Sequence, residues 1–320
     1  MARTRSDRSQ DRSSLEEDPA RIDSAEMGST DAESAEAVST VTVDDRGEIA
    51  YATYGDPDGT PVVVLHGTPG SLAFGQLFDD RARELGVRIF APERPGYGRS
   101  PPWPERDLTD TGPIVAAVLA DAAVERAGLV GFSGGGPHAL AAAATHGDLV
   151  ETVDVVSGAP PWSRIDEKPA VHRLLGLLAT KTPSLLKVLL RGQTWAAGRL
   201  PPAFVLAQYT TAAERAEIPA ETATCIRRDF REALAASQEG LVTETRLFAT
   251  PWAFALAAVD RPVRLWHGDN DGNAPLEGAR LLADELPAGE LTVLEGAGHL
   301  TALLRSREPI LRAQGRLDAD

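Results

Sequence analysis

"GFSGGGPHAL", residues 131–140, sets one serine among four glycines directly before an alanine-rich run. Glycine in or beside a helix costs roughly 1 kcal/mol against alanine, so the four around Ser133 need a structural reason. The preceding "AGLVGF" has the uninterrupted apolar character of a strand buried on both faces. The following "PHALAAAATHG" reads as a helix. Ser133 therefore sits where a buried strand turns into a helix. A turn that tight crowds the backbone and demands glycine two places before and two places after the serine, at Gly131 and Gly135.

Working outward, the pattern repeats. "STVTVDD", the turn Asp45-Arg46-Gly47 and "EIAYATYG" read as an antiparallel hairpin. "PVVVLHG" (61–67) is a buried strand, followed by a helix over 74–85, the strand "VRIFA" (87–91) and a helix over about 112–125. After the glycine-rich turn come the strand "LVETVDVVS" and then, from Pro160, a run of helices that includes "VHRLLGLLATK" and "PSLLKVLLRG". Strands return with "PVRLWHG" (262–268) and "ELTVLEG" (290–296), separated by a helix over 276–286 and closed by another. Alternating strands and helices predict an α/β fold, a mostly parallel twisted sheet with helices on both faces. The expected organisation is a disordered acidic tail over 1–38, an α/β core formed by 39–159 and 249–320, and a helical cap over 160–248. The tail carries no aromatic residue and no apolar block, so it cannot offset its ordering entropy.

Composition narrows the function classes. The chain has 320 residues, 42% hydrophobic and 25% charged, as an ordinary globular protein does. A formal net charge of −15 argues against nucleic acid as a partner. A single cysteine, Cys225, excludes an internal disulfide and a cysteine-based metal site. No secretory leader pattern and no run of about 18 uninterrupted apolar residues is present, so a cytoplasmic location without stable membrane insertion is expected.

A Gly-x-Ser-x-Gly at a strand-to-helix junction is a nucleophile elbow, which lifts the serine oxygen above the carboxyl edge of the sheet beside the positive end of the next helix. A serine hydroxyl needs a base and an orienting acid. On this architecture they follow in the order serine, acid, histidine. Of the six histidines, His299 lies in "EGAGHL", a glycine-rich loop after the last strand, and is the expected base. "WHGDNDGNAP" offers Asp269 and Asp271 as the acid, and spacing alone does not choose between them.

Together, "HGTPGS" (66–71), "APERPGYGRS" (91–100), "GFSGGGPHA" (131–139), "HGDNDGNAP" (267–275) and "GAGHL" (296–300) resemble the α/β-hydrolase superfamily, in its branch with a serine nucleophile and a helical cap. The resemblance covers 47–159 and 249–315. It implies that Asp271, three places after the strand's glycine, is the acid. It also implies an oxyanion hole made by the backbone N–H groups of Thr68, directly after the pair His66-Gly67, and of Gly134, directly after the nucleophile. His66 is then expected to brace that loop, and His138 to pack. The expected reaction is hydrolysis of small to medium uncharged carboxylic esters or lactones through an acyl-enzyme, with a small-molecule substrate and neither metal nor organic cofactor. Thr68 departs from the glycine of proline iminopeptidases, and the elbow lacks their Gly-Gly-Ser-Trp-Gly. Peptidase activity is accordingly an alternative, beside cofactor-free haloperoxidase or perhydrolase chemistry and a catalytically silent ligand receptor. Monomer and homodimer are both compatible with the sequence.

Overall fold

A computed structural model describes residues 38–165 and 169–316. The elements follow one another as β1 (Val38–Val43), β2 (Gly47–Gly55), β3 (Thr60–Leu65), α1 (Asp79–Glu84), β4 (Val87–Pro92), α2 (Thr111–Asp121), β5 (Ala127–Phe132), α3 (Gly135–Thr145) and β6 (Val150–Val156). Six helices come next: α4 (Ala170–Lys181), α5 (Pro183–Ala197), α6 (Ala203–Leu206), α7 (Ala212–Glu217), α8 (Ala220–Ala233) and α9 (Glu239–Ala249). The chain then returns to β7 (Val263–Gly268), α10 (Leu276–Glu285), β8 (Gly289–Leu294) and α11 (His299–Gln314).

The eight strands form one sheet in the order β1-β2-β4-β3-β5-β6-β7-β8. β2 runs antiparallel to both β1 and β4, while β3 to β8 are mutually parallel. Every residue of the central strand β5 is buried, as expected of a strand covered by helices on both faces. Separate apolar clusters occupy the two sides. Val62, Val64, Val130 and Phe132 pack with α11 on one, and Val63, Leu65, Leu129 and Val155 pack with α2 and α3 on the other. Alternate residues of one strand thus feed opposite layers.

The expected helix over 74–85 is in fact a 3-10 turn over Leu72–Phe78 followed by the short α1. Ser71 caps it, its hydroxyl accepting the Ala73 N–H. The inserted helical run ends at Ala249, one residue past the expected boundary. β1 starts at Val38, paired with Ala52, and the remainder of the expected tail, 1–37, lies outside the described residues, as do 166–168 and 317–320. Among the described residues no helix is long and apolar enough to cross a membrane.

Candidate active site

The crowding inferred at the elbow has atomic form. Ser133 adopts φ +52°, in the left-handed region that costs a non-glycine residue on the order of 1–3 kcal/mol. Its N–H donates to the Val156 carbonyl (2.9 Å), and its own carbonyl accepts the N–H groups of Gly136 (3.0 Å) and Ala159 (2.9 Å). Those bonds over-determine the strained geometry. A Cβ on Gly131 would stand 2.5 Å from the Gly135 carbonyl oxygen, and one on Gly135 would stand 2.7 Å from that of His66. On Gly136 it would meet Val155 Cγ1 at 2.8 Å, and on Gly134 it would collide with the Thr68 side chain. All four glycines are steric requirements.

His299 opens α11 at the carboxyl edge of the sheet. Its Nδ1–H donates to Asp271 Oδ2 at 2.7 Å. Asp271 Oδ1 accepts the N–H groups of Asn273 (2.8 Å) and Ala274 (2.9 Å). Burial works to raise the Asp271 pKa, but the neighbouring His299 and these donors bring it down to about 2. An ionised Asp271 holds the proton on Nδ1 and leaves Nε2 as the basic nitrogen. That Nε2 is buried and has no hydrogen-bond partner among the described residues. The ring packs 5.0 Å from Phe132, the residue before Ser133, and stacks over Tyr209 at 6.3 Å. Asp269 is elsewhere employed, accepting the Gly296 N–H at 2.7 Å. The inserted helices fasten this loop too, because Glu214 of α7 accepts both the Gly298 N–H (2.8 Å) and the Thr301 hydroxyl (2.7 Å).

Among the described residues neither the Thr68 nor the Gly134 N–H has a protein acceptor, so both are available to an anion beside Ser133. What holds Thr68 was not legible in the sequence. Its hydroxyl donates to Glu244 Oε2 at 2.5 Å and accepts from Arg94 Nη2 at 3.1 Å. Arg94 also donates to Glu244 Oε1 (2.6 Å) and to the carbonyls of His66 (2.5 Å) and Gly67 (3.0 Å). Glu244, on α9, further accepts from Arg106 (3.0 Å) and the Tyr97 hydroxyl (3.0 Å), and lies 3.2 Å from His138 Nε2. Every member except Thr68 is buried. Burial alone would raise the Glu244 pKa; Arg94 above all holds it well below the usual carboxylate range. Arg94 belongs to a motif singled out by sequence, but Glu244 sits 150 residues away on a helix that offers no signal for it.

Both nearby histidines are structural. Burial and Arg94 push His66 well below its ordinary pKa; its Nδ1–H donates to the Gly67 carbonyl (2.7 Å) while Nε2 accepts the Arg94 N–H (3.3 Å). It braces the loop that carries Thr68, in neutral form. His138 does more than pack: its Nδ1 bonds the Thr111 hydroxyl at 2.6 Å and its other nitrogen faces Glu244, with burial lowering its pKa to about 4.

Ser133, Thr68 and Gly134 open on a cavity of about 510 Å³ whose walls are mainly apolar. Trp162, Leu175, Tyr209 and Phe248 contribute to it. Several other leucines and aromatics of the inserted helices do not. Leu186 is buried within the insertion, whereas Leu174, Leu185 and Trp195 face solvent, because periodicity marks a face without saying what covers it. Among the described residues no cluster of three or more His, Cys, Asp or Glu side chains is arranged to hold a metal ion.

Known proteins share this fold. The chain is 28% identical to the non-heme chloroperoxidase CPO-A1 of Kitasatospora aureofaciens over 273 residues, 82% of this chain and 92% of that protein. An uncharacterized hydrolase of Bacillus subtilis matches at 28% identity over 120 residues, and there the chain spans only 41% of the relative's length. The structure of a bromoperoxidase from Bacillus anthracis superposes with a TM-score of 0.67 at 20% identity, covering 87% of this chain and 97% of that one. The profile of the alpha/beta hydrolase fold matches residues 60–306, and the chain belongs to that family.

Proposed function

We propose that the protein is a serine hydrolase acting on small to medium uncharged carboxylic esters or lactones through Ser133, His299 and Asp271. The observation that carries this reading is His299, fixed by Asp271 on one nitrogen and, among the described residues, unpartnered on the other, its ring packed against Phe132, the residue before a serine held at φ +52° on the wall of an apolar cavity. His299 Nε2 takes the Ser133 proton as the serine oxygen attacks the carbonyl carbon. The oxyanion is met by the Thr68 and Gly134 N–H groups, each worth on the order of 3 kcal/mol. His299 then returns the proton to the leaving alcohol, and water, activated by the same nitrogen, hydrolyses the acyl-enzyme. Apolar walls favour acyl chains, and the net charge of −15 disfavours anionic substrates.

Two measurements test it together. A fluorophosphonate should add one equivalent of mass, mapped to Ser133 and absent from Ser133→Ala. A panel of p-nitrophenyl esters, lactones and aminoacyl anilides should show turnover on the first two. Labelling elsewhere, or a preference for proline anilides, would overturn the reading. Perhydrolysis is the second reading, supported by the chloroperoxidase relative. It uses the same acyl-enzyme with hydrogen peroxide replacing water, and halide oxidation dependent on acetate and peroxide would reveal it.

A further inference from the structure

α5 is apolar on both sides. Leu186 and Leu190 are buried against the protein, yet Leu185, Val188, Leu189 and Trp195 on the opposite side are 50–62% exposed. α4, joined to α5 through Thr182 and packed against it, adds Val171, Leu174 and Leu177 at 55–57% exposure. A solvent-facing helix ordinarily carries polar residues there, and clustered apolar exposure marks an interaction surface.

The charge on this surface identifies what covers it. Although the protein is strongly acidic, no Asp or Glu occurs between Pro169 and Ala213, while Arg173, Lys181, Lys187, Arg191 and Arg199 do. Of these, Lys187 is ion-paired, with Glu239. At the end of the α5 stripe Arg191, Arg199 and Arg231 line a groove of about 410 Å³ together with Trp195, and no carboxylate lines it. A second copy of the chain fits poorly, because a two-fold interface sets a patch against itself and would align these cations with no acidic partner. An anionic phospholipid surface supplies both an apolar phase for the leucines and phosphates for the arginines.

We propose that the α4–α5 face is a peripheral docking surface for anionic phospholipid bilayers. The whole-molecule charge, which by itself predicts repulsion from such lipids, is locally reversed here and orients the protein with this face towards them. Leu177 both lines the catalytic cavity and is exposed within the patch, so the cavity opens at the edge of the docking face. Substrate dissolved in the bilayer would enter without crossing bulk water.

The test is cosedimentation of the full chain with vesicles of phosphatidylcholine alone or mixed with phosphatidylglycerol. The wild type should sediment with the phosphatidylglycerol vesicles, less so as salt rises. The double variant Val188→Glu/Leu189→Glu, whose positions line neither the cavity nor the groove, should lower the bound fraction about tenfold or more. Its melting temperature and its hydrolysis of a water-soluble ester should stay at wild-type values. No sedimentation with either vesicle, equal binding to phosphatidylcholine alone, or equal binding by the variant would overturn the proposal. So would sedimentation velocity showing a wild-type dimer that the variant splits, which would assign the face to a second copy.

Discussion

Asp229 of α8 is 5% exposed, and its Oδ1 accepts the Ser71 N–H (2.6 Å) and hydroxyl (3.0 Å) three residues beyond Thr68. Burial raises its pKa from the ordinary 3.8 to about 7, against the opposing pull of the two Ser71 donors. The folded protein therefore keeps a proton there that the unfolded chain has released, and Asp229 contributes stability that is fully present below pH 3.8 and lost as pH rises through about 7. Asp229→Asn has the same shape, keeps an oxygen for Ser71 and is neutral at every pH. Between pH 5.5 and pH 9 the wild type crosses about 1.5 pKa units of that window, each worth 1.36 kcal/mol. The variant should gain about 2 kcal/mol on it at most, or roughly 4–8 °C in melting temperature. Melting curves of both proteins at the two pH values give the answer. A difference that stays flat with pH, or a variant that is the less stable protein at pH 9, would show that Asp229 does not hold a proton in the fold.

Asp271→Asn should lower kcat by as much as about 10⁴-fold, because the amide no longer fixes the proton on His299 Nδ1. Asp269→Asn weakens a turn bond worth about 1 kcal/mol and should leave kcat within about twofold of wild type; kinetics of the pair that reversed this order would refute the assignment. Glu244→Gln leaves the buried Arg94 and Arg106 without their counter-charge, which should destabilise the protein by about 3–5 kcal/mol in urea titration. Because Thr68 loses its carboxylate acceptor, kcat on soluble esters should also fall; unchanged stability would mean that the two arginines are solvated in the native state.

Much of this protein was legible before any fold was known, for reasons that are local. A buried strand, a glycine-crowded turn and an alanine-rich helix can be read from neighbouring residues, because strand burial and backbone collision at Ser133 act over a few positions. The same holds for the alternation that specified a parallel sheet and for the loop that delivers His299. The choice of Asp271 over Asp269 had to be borrowed from a family resemblance, since two loop aspartates two places apart look alike until one meets an imidazole at 2.7 Å. Glu244 had no local signature at all. Its role exists only because α9 brings it to Arg94 and Arg106, far away in sequence, where burial turns an ordinary surface residue type into the anchor of the Thr68 loop. Helical spacing placed Leu185 and Leu186 in one apolar run, and only tertiary packing sent one inward and the other to solvent. Sequence determined most of the elements and the strand-to-helix turn at Ser133, where interactions are short-ranged. The network behind the Thr68 loop, and which apolar side chains of the insertion face solvent, were decided by contacts between distant segments, which pattern along the chain does not encode.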